Sequence, residues 1–227
     1  MKVGVFGTSM VGRTISEKVA ELSHEVVVGT RDVARTMENT EPSPFGLPPF
    51  SAWLKQNPGL RLGTFAESAS HAEIVFNATN GMGSLEAIHL AGASNLNGKI
   101  LVDISNPLDF SKGMPPSLSV CNTDSLGEQI QRAFPAVKVV KTLNTVTASL
   151  MVNPRQLAEG DHHVFVSGND AGAKAQVTDL LKTWFGWKDV VDLGDITTAR
   201  GTEMYLPLWL RLWGALGTGM INIKVVR

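Results

Sequence analysis

The sequence has almost no cysteine and no cluster of metal-binding residue types. Cys121 is the single cysteine among 227 residues, which excludes an internal disulfide. No Cys/His group has the spacing of zinc ligands, so we expect no metal site. A chain without structural disulfides is typical of a reducing compartment, and we therefore expect a cytoplasmic protein.

The sequence also lacks any long run of charge of one sign. Its 20 Lys and Arg residues balance 21 Asp and Glu residues, giving a net charge of -1. Nucleic-acid binding needs a basic stripe and attraction to a membrane surface needs a polybasic patch, so we expect neither partner. The hydrophobic fraction of 43% is ordinary for a folded globular protein.

Long apolar runs are nearly absent. The run at residues 3–6 stops at Gly7 and is shorter than the apolar region of a secretory signal, about 7–15 residues. Residues 205–223 are mostly apolar but include Pro207 and Arg211, and a central Arg facing lipid costs about 3 kcal/mol. This segment therefore indicates a core or interface helix and not a membrane anchor.

What is present is an alternation of short apolar strands and amphipathic helices, which predicts a parallel sheet covered on both faces. Strands are predicted at residues 1–7, 25–29, 61–64, 73–78, 99–104, 137–141, 163–167 and 189–192. Helices are predicted at 12–22, 65–70, 85–91, 124–134, 145–152 and 171–185, with a long helix starting near Thr197 or Thr198. Segments 40–59 and 106–120, rich in Pro and Gly, are predicted to be irregular, with a possible helical turn at residues 51–56.

The predicted fold class is α/β, a Rossmann-type doubly wound parallel sheet with a small C-terminal α/β extension. We expect residues 1–143 to form a Rossmann domain. Residues 144–227 are expected to form a small C-terminal domain that contributes the contact of a dimer.

The turn between the first strand and the first helix has the form G-x-S-x-x-G, a variant of the dinucleotide-binding pattern G-x-G-x-x-G. Its first glycine suits a tight turn, its last lets the helix pack on the strand, and the serine replaces the middle glycine. Helix N-terminal amides favour an anion there. The turn therefore predicts a pyrophosphate site at Gly7, Thr8, Ser9, Met10, Val11 and Gly12; the alternative is a tight strand–helix turn that binds nothing.

The end of the second strand indicates which dinucleotide is bound. NAD-binding units usually place Asp or Glu there to bond the ribose 2′-hydroxyl, but this strand ends in Gly29, Thr30 and Arg31. A hydroxyl and a guanidinium suit a 2′-phosphate, with Arg35 as a second cation. We therefore predict a preference for NADP(H); the alternative is that Arg31 is an ordinary solvated charge.

The start MKVGVFGTSMVGRTISEKVAELSHEVVVGTRD resembles NADPH-dependent oxidoreductases of the deazaflavin coenzyme F-420 type. Their relatives include the cytosolic domains of membrane ferric reductases and, more distantly, pyrroline-carboxylate reductases. The resemblance continues at ILVDISNPL, VVKTLNTV, FVSGND and the final NIKVVR, and so it covers nearly the whole chain. It implies that residues 1–143 form an NADP-binding Rossmann domain and that the small C-terminal domain, residues 144–227, closes a cleft over the nicotinamide. It also implies coenzyme F-420 or another flavin-like acceptor as co-substrate.

By this resemblance, four residues beyond the first two strands would also contact the cofactor. Ala78 and Thr79, after the fourth strand, would line the nicotinamide ribose, and Asn106 and Pro107, after the fifth, would face the nicotinamide. Ligands of doubly wound sheets bind outside the carboxyl ends of the strands, which is consistent with this placement.

The sequence contains no G-x-S-x-G elbow, no H-E-x-x-H and no evident acid/base pair. Hydride transfer between a nicotinamide and a deazaflavin can proceed by direct ring stacking, so the protein need only orient the rings. We expect Asn144 and Thr145, after the 137–141 strand, to be orienting residues; the alternative is that they cap the next helix.

Three functions stay open at this point. The first is an NADP(H)-dependent oxidoreductase that exchanges hydride with a deazaflavin. The second is a reductase of another acceptor, such as a flavin, a quinone or an imine, and the third is a non-catalytic NADP-binding redox sensor. The apolar helix around Trp209 and Trp213 has more apolar surface than one small domain covers, so we expect a homodimer.

Overall fold

The computed structural model describes residues 1–43 and 46–227. Its strands are β1 (Lys2–Phe6), β2 (Glu25–Thr30), β3 (Leu60–Thr64), β4 (Ile74–Asn77), β5 (Ile100–Asp103), β6 (Leu108–Asp109), β7 (Ser117–Leu118), β8 (Lys138–Thr142), β9 (His163–Ser167) and β10 (Asp189–Gly194). Its helices are α1 (Met10–Glu21), α2 (Val33–Glu38), α3 (Phe50–Gln56), α4 (Phe65–His71), α5 (Gly81–Ala91), α6 (Ala93–Leu96), α7 (Leu126–Ala133), α8 (Ala148–Val152), α9 (Ala171–Thr183), α10 (Ala199–Met204) and α11 (Leu206–Leu216). Short 3-10 helices lie at Pro154–Gln156, Ala158–Gly160 and Ile196–Thr198.

Eight of these strands form one sheet in the order β10-β9-β8-β5-β4-β1-β2-β3. Every pair is parallel except β8 and β9, which are antiparallel. After β1 the chain moves outward to β2 and β3, and it then returns to the other side of β1 to form β4. Ligands of doubly wound sheets bind at such a switch point, which here lies at the carboxyl ends of β1 and β4.

Both faces of the sheet are covered by apolar side chains. Because successive residues of a strand point to opposite faces, Ile74 and Phe76 of β4 belong to one buried cluster while Val75 belongs to the other. Burial on both faces requires continuous apolar strands, and this is the pattern that predicted the parallel sheet. The predicted Rossmann-type fold class is confirmed.

The segment after residue 143 continues the same sheet. β9 pairs with β8 through Lys141 and Thr142, and β10 then pairs with β9 in parallel. The expected boundary between residues 143 and 144 therefore falls between two strands of a single sheet. The division into two domains stays a prediction.

The prediction of one long helix beginning at Thr197 or Thr198 is wrong. A 3-10 helix occupies Ile196–Thr198 and α10 follows it. The helix is then interrupted at Tyr205, before α11 begins. Pro207 stands in the first turn of α11, where a residue without an N–H is tolerated, so a new helix begins there. Gly217, in the left-handed region at φ 67°, ends α11 well before residue 223.

Smaller differences concern loops and helix starts. The 106–120 segment, predicted to be irregular, contains the antiparallel pair β6 and β7. The predicted helix at 145–152 begins only at Ala148, and the predicted turn at 51–56 is a helix, α3. The irregular 40–59 segment includes residues 44 and 45, which lie outside the described residues. Across residues 1–43 and 46–227, no helix combines the length and apolar character that crossing a membrane requires.

Candidate functional site

The turn between β1 and α1 brings two glycines into direct contact. Gly7 has φ 112°, a backbone conformation that residues with a side chain rarely adopt. Its N–H donates to the Gly29 carbonyl at 3.0 Å. A Cβ on Gly12 would lie 2.1 Å from the Gly7 carbonyl oxygen. No side chain fits at that distance, so the last glycine sets how closely the first turn of α1 packs on the strand end.

Ser9 is the N-cap residue of α1. Its backbone is extended and its side chain makes no capping hydrogen bond. The hydroxyl is therefore not used by the helix, at the place where the amides of the first helical turn lack partners. A bound phosphate could accept from this hydroxyl and from the amides, so the serine of the variant pattern is compatible with an anion site.

Arg13, a residue that the sequence did not single out, ties this turn to the proline-rich segment. Its guanidinium donates from Nε to the Thr8 carbonyl at 2.9 Å and from Nη1 to the Pro48 carbonyl at 2.7 Å. It also lies over the rings of Phe50 and Trp53, at 5.4 and 5.5 Å from their centres. Burial lowers the pKa of Arg13 from its usual value. In the sequence it resembles an ordinary surface cation of a helix.

Three neighbouring cavities line the carboxyl end of the sheet, and Ser9 contributes to all of them. We call them the β2 cavity, the central cavity and the α11 cavity. The β2 cavity is lined by Gly7, Thr8, Ser9, Gly29, Thr30, Arg31, Phe65, Ala78, Thr79, Asn80, Gly83 and Ala87. The central cavity is lined by Ser9, Val11, Ala78, Thr79, Asn80, Gly81, Met82, Ile104, Ser105, Asn106, Leu108 and Phe110. The α11 cavity is lined by Ser9, Met10, Val11, Ile104, Asn106, Leu108, Asn144, Thr145, Val146, Thr147, Ala148, Met151, Leu206, Trp209 and Leu210.

In the β2 cavity, the two residues predicted to bind a 2′-phosphate differ in their availability. Thr30 is nearly buried, and its hydroxyl lies 2.8 Å from that of Thr36, which itself donates to the Asp32 carbonyl. Arg31 is exposed, and its Nη2 donates to Oε2 of Glu86 on α5 at 2.6 Å. Arg31 is the one cation among the described residues that line this cavity.

The ends of β4 and β5 are held by a chain of hydrogen bonds. Thr79 Oγ1 donates to the side-chain oxygen of Asn77 at 2.7 Å and lies 2.7 Å from Ser84 Oγ. Asn77 Nδ2 in turn donates to Asp103 Oδ1 at 2.9 Å. Thr79 is thereby fixed at the wall that the β2 cavity and the central cavity share.

Asn106 and Asn144 form a reciprocal pair at the edge of the α11 cavity. Asn106 Nδ2 donates to the backbone carbonyl of Asn144 at 2.9 Å, and Asn144 Nδ2 donates to Asn106 Oδ1 at 3.0 Å. Asn144 Nδ2 also donates to the Thr202 carbonyl at 3.1 Å, so its amide N–H groups are already used. The helix that follows has Thr147 as its N-cap residue, and so neither Asn144 nor Thr145 is the cap residue.

Among the described residues, those that line the α11 cavity are mostly apolar and none of them is charged. Its volume is about 330 Å³, and its outer wall is α11, through Leu206, Trp209 and Leu210. The indole N–H of Trp209 is buried and has no hydrogen-bond partner among the described residues. A largely apolar ligand is the kind that such a lining accepts.

Below the cavities lies a buried ionic cluster that sequence reasoning missed. Lys141 Nζ contacts Asp103 Oδ2 and Glu203 Oε1, both at 2.8 Å, and donates to the Ser105 carbonyl at 2.5 Å. Glu203 also accepts from the first two backbone amides of α7. Burial lowers the pKa of Lys141, but the two carboxylates outweigh this effect and raise it above its usual value. The cluster joins α10 to β5 and β8.

Most of the residues predicted from the sequence therefore lie together around these cavities. Gly12, Arg35 and Pro107 do not line them. Gly12 acts through its contact with Gly7, and the backbone carbonyl of Pro107 accepts from Ser119. Arg35 is exposed on α2, one turn beyond the N-cap Asp32. No group of three or more potential His, Cys, Asp and Glu metal ligands occurs within the part of the chain that the structure describes.

Comparisons with known proteins bear on this geometry. The family model for the F420-dependent NADP oxidoreductases matches residues 2–107. A crystal structure of a candidate F420-dependent NADP reductase from Arthrobacter sp. FB24 has 61% sequence identity and a TM-score of 0.96, and the match covers 100% of both chains.

Two further relatives are more distant. The metalloreductase STEAP3 of Rattus norvegicus is 30% identical over 216 residues, which are 92% of this chain, and the chain spans 38% of that relative's length. An imine reductase variant from Myxococcus stipitatus, solved with NAD+, has 14% identity and a TM-score of 0.60. That match covers 95% of this chain and 63% of the other, and it shows the fold alone.

The family match and the full-length similarity at 61% identity show that the chain belongs to the F420-dependent NADP oxidoreductases, a family of NADP-dependent oxidoreductases.

Proposed function

We propose that this protein exchanges hydride between NADP(H) and a deazaflavin of the coenzyme F-420 kind, with the dinucleotide along the β2 and central cavities and the acceptor in the α11 cavity. The observation that carries the proposal is the arrangement of the three cavities. A glycine turn whose serine hydroxyl makes no capping hydrogen bond leads, through Ser9, into a mostly apolar cavity whose described lining residues carry no charge.

The residues of the turn fit a pyrophosphate. A Cβ at Gly12 would clash with the turn itself, and the absence of a side chain there allows α1 to lie close to Gly7. The N-terminal amides of α1 and the unused hydroxyl of Ser9 are the donors that an anion needs. In the β2 cavity, the exposed guanidinium of Arg31 supplies the paired donors that suit a 2′-phosphate. Thr30, which is nearly buried and bonded to Thr36, contributes less than Arg31.

At the other end of the cleft, the chain's own residues orient the bound rings and exclude water. When bound, the nicotinamide supplies the hydride, and the reaction needs no covalent intermediate with the protein. The Asn106–Asn144 pair fixes the end of β5 relative to the turn after β8. Leu206, Trp209 and Leu210 cover the cavity with apolar surface, and exclusion of water strengthens every polar contact within it.

The cofactor half of the proposal is tested by binding. We expect NADPH to bind more tightly than NADH, and Arg31→Ala to weaken NADPH binding by about tenfold or more, since a hydrogen bond to a charged group contributes about 1.5–3 kcal/mol. Calorimetry on the purified apoprotein measures both affinities. Equal affinity for NADH and NADPH, both unchanged in Arg31→Ala, would refute the assignment of the 2′-phosphate site.

The acceptor half is tested by turnover. We expect NADPH absorbance to fall when coenzyme F-420 is present, and to fall faster than with FMN, a quinone or a panel of imines. Faster turnover of one of those other acceptors would replace the deazaflavin in the proposal. NADPH binding without turnover of any acceptor would favour the redox sensor.

We also propose a homodimer that uses the outer face of α11. Leu208, Trp213 and Leu216 are 55%, 37% and 59% exposed on this short helix, and a group of exposed apolar side chains is typical of a protein–protein contact. Light scattering should give the mass of two chains, and Leu208→Glu should shift that mass toward one chain. A monomeric mass for the wild-type protein would contradict this expectation.

A further inference from the structure

Glu86 holds the cation that the proposed function assigns to the 2′-phosphate. It lies on α5, 55 residues after Arg31 in the sequence, and its Oε2 accepts from Arg31 Nη2 at 2.6 Å. Gly83 and Ala87, on the same helix, line the β2 cavity together with Arg31. The ion pair therefore joins the two walls between which the adenosine end of a dinucleotide would bind.

The pair is exposed, and its partners can separate at small cost. The side chains of Arg31 and Glu86 are 62% and 58% accessible to solvent. Exposed ion pairs contribute little to stability, and they weaken as salt screens the charges. The carboxylate is thus a weak competitor that a phosphate, with more charge and more acceptor oxygens, can displace.

We propose that Glu86 is a specificity-determining residue. It competes with the 2′-phosphate of NADP(H) for Arg31 and so makes the preference for NADP(H) over NAD(H) smaller. This inference rests on the proposed function, because it requires Arg31 to bind the 2′-phosphate. With NADP(H) bound, Arg31 has to leave or share Glu86, and the carboxylate then lies near a phosphate of like charge. With NAD(H) bound, the Arg31–Glu86 pair stays intact, and binding does not cost the energy of that ion pair.

Glu86→Gln removes the competing charge and keeps the length of the side chain. We expect it to tighten NADP+ binding by about two- to fivefold, the range given by exposed ion pairs, and to leave NAD+ binding unchanged. The gain should shrink as ionic strength rises from about 0.01 M to about 1 M, where the screening length falls from about 30 Å to about 3 Å. Glu21→Gln is the matched control, because Glu21 is also exposed but lies at the far end of α1.

Calorimetric titrations of wild type, Glu86→Gln and Glu21→Gln with NADP+, NAD+ and 2′,5′-ADP provide the test. Tighter NADP+ and 2′,5′-ADP binding in Glu86→Gln alone, with NAD+ unchanged, would support the inference. Equal or weaker NADP+ binding in Glu86→Gln would overturn it, as would equal tightening of NAD+, which would mean a general change in the cavity. Wild-type protein that binds neither NADP+ nor 2′,5′-ADP would overturn the proposed function as well, and this outcome is distinct from the other two.

Discussion

Replacing Lys141 by Met removes the one positive charge from the buried cluster of Lys141, Asp103 and Glu203. All three side chains are at most 2% exposed, so water cannot take the place of the ammonium group. Two carboxylates would stay buried without a counter-charge. Removing one partner of a buried ion pair typically costs about 3–5 kcal/mol, and we expect the free energy of unfolding of Lys141→Met to fall by that amount.

The pH dependence of the wild-type cluster follows from the direction of the pKa shift. Burial lowers the pKa of Lys141, but the two carboxylates raise it by more than burial lowers it. The pKa in the folded protein therefore lies above the usual 10.5. The stabilisation is therefore fully present below the unfolded pKa of 10.5 and is lost as pH rises through the folded pKa. We therefore expect the titration of Lys141 to leave wild-type stability constant around neutral pH and to lower it in strongly alkaline solution.

Urea unfolding at neutral pH measures the loss. Arg132→Met is the matched control, because Arg132 pairs with Asp124 at 2.7 Å but is 59% exposed, and surface pairs contribute about 0–1 kcal/mol. For a protein of this size, a loss of about 3–5 kcal/mol lowers the melting temperature by roughly 6–20 °C. A loss in Lys141→Met that is no larger than the loss in Arg132→Met would refute the reasoning about burial.

Three other variants test the site. Gly12→Ala should abolish dinucleotide binding and lower stability, because its Cβ would lie 2.1 Å from a carbonyl oxygen; calorimetry and urea unfolding check this, and unchanged binding would contradict it. Arg13→Ala should speed amide hydrogen exchange around Pro48, whose carbonyl it binds at 2.7 Å, and equal exchange would show that this contact is not what holds the segment. Asn144→Ala should lower acceptor turnover more than NADPH affinity, because it removes one of the two hydrogen bonds that hold Asn106 beside the α11 cavity; unchanged steady-state kinetics would remove Asn144 from the site.

The alternation of strands and helices and the glycine turn after β1 could be predicted from the sequence alone. These features depend on residues close together in the chain, so a local pattern is enough to predict them. Apolar runs predicted the strands, and Gly7 and Gly12 marked the turn because glycine is the residue that permits its backbone and its close contact. The residues after β4 and β5 were also expected to line one site, since ligands of doubly wound sheets bind outside the carboxyl ends of the strands.

Tertiary structure alone decided which charges meet. Arg31 looked free in the sequence, and only the tertiary contact between α5 and the residue after β2 shows that Glu86 binds it. Lys141, Asp103 and Glu203 looked like ordinary charged residues, because their pairing depends on α10 packing against β5 and β8. Contacts between residues far apart in the chain depend on the order of strands in the sheet, and no local pattern contains that order.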